Sequence, residues 1–140
     1  MPYNVLIVDD SSTMRNVIKK VLRLTGIPFG SCLEASNGRE ALDLLENNWV
    51  DLILSDINMP VMDGFGLLRA LKALPSWNDV PVLLITTESN QNRLQEAMHL
   101  GAKAYIHKPF TPETVRSVVR QIMGETDESA MPDSDEGCDF

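Results

Sequence analysis

Long apolar runs are missing from this sequence. The longest, Val82-Leu-Leu-Ile85 among them, extend only a few residues, which excludes a membrane-spanning helix. Cysteine is scarce: Cys32 in a predicted strand and Cys138 near the C-terminus build no disulfide framework, so a reducing, cytoplasmic setting is expected. Neither cysteine stands at a zinc-ligand spacing from His99 or His107. Only a few residues precede Asp9-Asp10, leaving no room for a secretory signal. Aromatic residues are few, at 6%, and Trp49 and Trp77 are read with the methionines as packing residues. Positive charge is not in excess either. Of 20 acids, seven lie in 125–140 with no base beside them, leaving 13 against all 12 bases in 1–124, a net of −1. The balanced part has no basic face for nucleic acid.

What is present is a regular alternation. Val5-Leu-Ile-Val8 reads as a strand covered on both faces. Ser11-Ser12-Thr13 offers helix caps, and Met14, Val17, Ile18, Val21 and Leu22 follow at helical spacing until Gly26 and Pro28. Residues 31–35 make a weaker strand. Asn37-Gly38 is a turn before a helix striped by Ala41, Leu42 and Leu45. Residues 51–55 are the third strand, and Leu67, Leu68, Leu71 and Leu74 stripe the next helix up to Pro75. Pro81 opens a strand over 82–85, where a missing N–H is tolerable. A helix around Leu94, Ala97 and Met98 ends at Gly101, and Tyr105-Ile-His107 is the fifth strand. Thr111 as cap and Pro112 at the first position open a last helix, striped by Val115, Val118, Val119, Ile122 and Met123 and closed by Gly124. Five βα units imply a parallel sheet with helices on both faces in one domain, 1–124. The acidic segment 125–140 has too few apolar residues to offset the entropy of ordering, so it is expected to be a disordered tail.

Four predicted strands end in polar residues: Asp9-Asp10, Asp56, Thr86 and Lys108. In open α/β sheets, ligands bind at the carboxyl ends of the strands, so these residues are expected on one rim. A lone Asp10 would read as a helix cap. Three carboxylates together repel one another unless a cation sits among them, and an all-oxygen set with room for water suits Mg²⁺. A metal, an ammonium and a hydroxyl form a dianion clamp of the kind phosphoryl transfer uses. Asp63-Gly64 reads as turn and helix-entry chemistry.

The segments Val8-Asp-Asp-Ser-Ser-Thr-Met-Arg15, Ser55-Asp-Ile-Asn-Met-Pro-Val-Met-Asp-Gly64 and Lys108-Pro-Phe-Thr111 resemble the receiver domains of two-component response regulators. The likeness runs from about Asn4 to Met123 and is strongest to single-domain chemotaxis regulators of the CheY type. It implies a flavodoxin-like, doubly wound, five-stranded parallel sheet of order 2-1-3-4-5 with five helices. It implies that Asp56 accepts a phosphoryl group from a sensor histidine kinase, a CheA-like one for chemotaxis. Asp10, Asp56 and the backbone carbonyl of Asn58 would ligate Mg²⁺, with Asp9 acting through water. Lys108 and Thr86 would hold the phosphoryl oxygens, Tyr105 would be the aromatic switch, and Asn58 and Glu88 would tune hydrolysis. A cis peptide is expected at Lys108-Pro109. The output partner, a flagellar motor switch protein or another, would bind the face of the fourth helix, fifth strand and fifth helix of a monomer; a phosphatase is a further candidate partner.

The sequence departs from that family at Thr87, where Ala or Gly is usual, and at Ile57, where an aromatic stands in enteric chemotaxis regulators. Two alternatives stay open: a stand-alone receiver in a phosphorelay, and a small aspartyl-phosphate hydrolase. Against the hydrolase, Asn58 stands where a second acid is wanted, and the chain offers no room for a cap insertion. It also has too little beyond Gly124 for a DNA-binding domain. A flavodoxin-like cofactor binder is disfavoured by two acids in a loop where phosphate would want amides.

Overall fold

Val5-Leu-Ile-Val8 lacks the polar alternation of a half-solvated strand, and all four side chains are fully buried. In the computed structural model, which describes residues 2–124, they form the centre of β1 (Tyr3–Val8). The other continuous apolar runs behave alike, as β3 (Leu52–Ser55) and β4 (Val82–Thr86), every residue buried. β2 (Phe29–Ala35) and β5 (Ala104–His107) are the edges and are only partly covered. All neighbours pair in parallel, in the order β2-β1-β3-β4-β5. β2 starts two residues before the expected position, because Tyr3 pairs with Phe29. The expected five-stranded doubly wound sheet and its strand order are therefore present.

Side-chain alternation along the strands sorts the core into two layers. Val5, Ile7, Leu52, Leu54, Leu83 and Ile85 face Ile18 and Leu22 of α1 (Ser12–Leu24) and Val115 and Val119 of α5 (Pro112–Met123). Leu6, Val8, Ile53 and Leu84 face α2 (Gly38–Leu45), α3 (Gly64–Ala73) and α4 (Gln91–His99). Each such fully buried aliphatic side chain contributes about 1.5–3 kcal/mol relative to exposure. Helix entries follow local chemistry: Ser11, Asn37, Asp63, Asn90 and Thr111 each cap a helix through a side-chain oxygen. The first helix is thus capped by Ser11 rather than Asp10, and Asn37 is a cap rather than a plain turn residue. Gly124, at φ 75°, ends α5 in the left-handed conformation. The expected tail at 125–140 lies outside the described residues.

Some packing expectations fail. Trp49 is 77% exposed, its indole N–H donating 2.9 Å to Asp51 Oδ1, so it is a surface residue. Val17, Leu74 and Met98 are also partly exposed, at 38–40%. Leu74 is the C-cap residue of α3, in extended conformation, and so no longer lies on its apolar stripe. Trp77 does pack against the core beneath α2, α3 and α4.

Candidate functional site

Register alone brings the first acids together. Val8 pairs with Ser55 across β1 and β3, so the next residues on each strand, Asp9 and Asp56, emerge side by side. The Asp56 N–H donates to the Val8 carbonyl at 2.9 Å, and that of Asp9 to the Ala35 carbonyl at 3.0 Å. Asp10 follows at once, and one carboxylate oxygen from each of the three acids lies within 4.8 Å of the others. Their burial is graded: Asp9 is 2% exposed, Asp56 is intermediate and Asp10 opens to solvent.

Lys108 reaches these acids because β5 ends level with β4. Thr86 pairs with His107, and the Lys108 N–H donates to the Thr86 carbonyl at 2.9 Å. The Lys108-Pro109 peptide is cis, as expected. Lys108 Nζ donates to Asp9 Oδ2 at 3.0 Å and to Asp56 Oδ2 at 3.3 Å. The other oxygens are also held: Asp9 Oδ1 accepts from the Ser11 N–H at 2.9 Å, and Asp56 Oδ1 from the Ile57 N–H at 2.7 Å. Ile57 itself is buried.

Thr86 is fully buried, and its Oγ1 accepts the Glu88 N–H at 3.1 Å. That bond uses a lone pair and leaves the hydroxyl proton available to an incoming acceptor. Tyr105 pairs with Leu84, two residues before Thr86 on β4, so Tyr105 and Thr86 share the sheet face that α4 covers. The Tyr105 ring is half-buried and meets His107 edge-on, centroids 5.5 Å apart. Thr87 is exposed in the loop that follows.

Glu88 and Asn58 come from different loops yet share one partner. Arg93, in the first turn of α4, donates from Nε to Glu88 Oε1 at 2.8 Å and from Nη2 to Asn58 Oδ1 at 3.1 Å. Its guanidinium also lies 4.7 Å above the centre of the Phe65 ring. Glu88 Oε2 accepts from the Asn90 N–H at 3.1 Å. That backbone bond, followed by Arg93, holds the Glu88 carboxyl below its ordinary range against the opposing effect of burial. Sequence reasoning misses Arg93, because one arginine at a helix start reads as solvated charge. The available signal was that Glu88 and Asn58, two residues beyond Thr86 and Asp56, leave adjacent strands on one rim.

The donor set suits a hard cation. Three carboxylates supply oxygen only, and the open side at Asp10 leaves space for water, the pattern Mg²⁺ prefers. Gly64 keeps the floor of this site tight. A β-carbon there would fall 2.7 Å from the Asp56 carbonyl oxygen and 2.9 Å from Ile57 Cα.

Comparison with known proteins identifies the family. Residues 5–120 match the family model described as the response regulator receiver domain. A chemotaxis protein CheY homolog of Campylobacter jejuni is 39% identical over 120 residues, covering 85% of this chain and 91% of the relative. The high-resolution structure of chemotaxis response regulator CheY4 of Vibrio cholerae superposes with a TM-score of 0.77 at 34% identity, covering 87% of this chain and 99% of that one. The receiver domain of sensor histidine kinase PA1611 from Pseudomonas aeruginosa superposes with a TM-score of 0.78 at 25% identity, covering 89% and 99%. That structure holds a magnesium ion in its active site cleft.

Proposed function

Since the chain belongs to the response regulator receiver domain family, we propose that Asp56 accepts a phosphoryl group from a histidine kinase and thereby changes the binding of an output partner. Receiver domains are signalling switches that take phosphoryl groups from histidine kinases, not enzymes that turn over an external substrate. The observation that carries the assignment to Asp56 is the shared contact of Lys108 Nζ with Asp9 and Asp56, beside Asp10. It unites an acidic triad and a fixed ammonium at one strand-end rim.

Each residue then has a chemical task. An Asp56 carboxylate oxygen attacks phosphorus, a P–O bond forms, and the P–N bond to the kinase imidazole breaks with its electron pair leaving on nitrogen. Asp10, Asp56 and the Asn58 carbonyl would hold Mg²⁺, and Asp9 would act through water. The ion, when bound, neutralises phosphoryl charge. Lys108 pairs with the phosphoryl oxygens, and the Thr86 hydroxyl turns its proton toward them. The new group adds roughly 1.5–2 negative charges and three acceptor oxygens, so it biases a two-state equilibrium rather than a single contact. Displacement of Thr86 leaves volume on the face it shares with Tyr105, and Tyr105 reports the change at α4, β5 and α5. Asn58 and Glu88 set how long the phosphoryl group lasts.

The relatives named for chemotaxis support a finer reading, in which a CheA-like kinase is the donor and a flagellar motor switch protein the output partner. The test is exposure to a small phosphodonor with Mg²⁺ followed by mass spectrometry of the intact adduct. The adduct is expected on Asp56 and is expected to vanish in Asp56→Asn; an adduct on another residue would sink the assignment. Capture of a motor switch protein by the phosphorylated form alone is the expected sign of motor control. Fast return of the phosphoryl group to a histidine phosphotransfer protein would point to a relay instead.

A further inference from the structure

We propose that Arg93 is a positioning residue for the phosphoryl site, a clasp that competes with water for Glu88 and Asn58 and so lengthens the life of the aspartyl phosphate. The inference rests on Asp56 being the phosphoacceptor and concerns what happens to that group afterwards.

At issue is competition for hydrogen-bond acceptors. Hydrolysis forms a P–O bond from water to phosphorus and breaks the acyl-phosphate P–O bond, returning a carboxylate to Asp56 and releasing inorganic phosphate. A water attacks best when an acceptor beside it orients it and takes its proton. Glu88 and Asn58 are the acceptors that the rim places two residues after Thr86 and after Asp56. Both are engaged: Glu88 Oε1 with Arg93 Nε at 2.8 Å, Glu88 Oε2 with the Asn90 N–H at 3.1 Å, and Asn58 Oδ1 with Arg93 Nη2 at 3.1 Å. One guanidinium therefore takes a lone pair of an acceptor on each loop and draws charge from both, leaving each a weaker base toward an attacking water.

Arg93 is built to stay there. Its first-turn position on α4 follows directly from the Asn90 cap, whose side chain accepts from the Asn92 and Arg93 N–H groups. Phe65, 6% exposed at the start of α3, supplies a ring face 4.7 Å from the guanidinium carbon. Three separate elements thus hold one side chain: the loop after β4, the loop after β3 and the first turn of α3. A planar, five-donor fork can make this set of contacts, whereas a lysine, with a single point charge, cannot replace it at two divergent acceptors over a ring.

The test is decay of the Asp56 adduct, followed by mass spectrometry after removal of phosphodonor, in wild type, Arg93→Ala and Arg93→Lys. Both variants keep a helix-forming residue at the position, and circular dichroism checks that they fold. The adduct is expected to decay about fivefold faster in each variant, in keeping with loss of a pair of part-exposed charge-assisted bonds. Arg93→Ala made on top of Glu88→Ala and Asn58→Ala is expected to add almost nothing, because the acceptors it would release are gone. A structural role would speed decay equally in both backgrounds, and that result, or an unchanged lifetime in the single variants, would overturn the clasp while leaving Asp56 as phosphoacceptor. Absence of any adduct on wild-type Asp56 would overturn both readings.

Discussion

Lys108 Nζ stands 3.0 Å from Asp9 Oδ2, joining two residues 99 positions apart in the chain. Asp9 is 2% exposed and the Lys108 side chain 12%, so neither charge is well solvated. The lysine contacts two of the three acids, Asp9 and Asp56, and a metal held as proposed would compete with it for Asp56. Lys108→Ala is therefore expected to destabilise the metal-free protein by roughly 2 kcal/mol, less than the ~3–5 kcal/mol of a fully buried broken pair. It is also expected to enlarge the rise in thermal midpoint that Mg²⁺ produces. Thermal unfolding with Mg²⁺ and with chelator measures both effects; a smaller Mg²⁺ shift in the variant would count against the competition.

Asp10 is the exposed member of the triad, so its neutralisation relieves repulsion with little loss of packing. Asp10→Asn is expected to raise metal-free stability by up to about 1 kcal/mol, the scale of exposed charge interactions. The same change removes a proposed metal ligand, and the Mg²⁺-dependent rise in midpoint is expected to disappear. A variant that is more stable without metal and indifferent to it is the predicted signature. A retained full Mg²⁺ response would place the ion elsewhere.

Gly64 illustrates what the sequence does and does not make legible. Asp63-Gly64 was readable as turn and helix-entry chemistry, and Asp63 indeed caps α3 by accepting the Gly66 N–H at 2.9 Å. The reason for glycine is not readable, because it depends on the Asp56 carbonyl lying 2.7 Å from the missing β-carbon. The same division holds across the site. Apolar runs ending at Asp9, Asp56, Thr86 and Lys108 announce their strands, and parallel topology brings those ends to one rim. Arg93 and Trp49 were opaque for opposite reasons: one acts through side-chain contacts across two loops, and the other has an aromatic side chain that the surface leaves uncovered.

Gly64→Ala follows from that close approach. Its methyl group meets backbone atoms, which cannot rotate away, so the loop must shift by several tenths of an ångström. A loss of about 1–3 kcal/mol is expected, the usual range for overpacking. Because the atoms displaced belong to Asp56 and Ile57, phosphodonor reaction is expected to slow more than global stability alone would dictate. Adduct formation at a temperature where the variant is fully folded separates the two effects.

Val61 carries the only positive φ among non-glycine residues described, at 69°, within a turn closed by the Met62 N–H on the Pro60 carbonyl at 2.7 Å. That three-residue closure with positive φ is a γ-turn, a strained conformation for a β-branched residue, at about 1–3 kcal/mol. The side chain is 83% exposed, so it contributes little packing in return. Val61→Gly, which has no β-carbon to clash at positive φ and removes an exposed apolar group, is expected to stabilise the protein by up to about 1 kcal/mol. Urea unfolding measures it, and an unchanged or lower midpoint would refute the claim that the turn is strained.

Glu34 ties the edge strand β2 to α1, its two oxygens 2.9 Å from Arg15 Nε and 2.7 Å from Lys19 Nζ. The Lys19 bond foremost, and then Arg15, hold its carboxyl below the ordinary value of 4.5. A carboxyl lowered on folding adds stability that is fully present above the unfolded value and is lost as pH falls through the folded one. Glu34→Gln is therefore expected to cost up to about 1 kcal/mol at neutral pH, the ceiling for a part-exposed pair. The wild-type and variant curves are expected to converge as pH drops below 4.5, because protonated Glu34 no longer pairs. High salt is expected to shrink the neutral-pH difference by screening. Arg15 also donates to the Asp9 carbonyl, so loosening of Arg15 in the variant is expected to reach the proposed metal-binding rim as a weaker Mg²⁺ response, measured in the same melts.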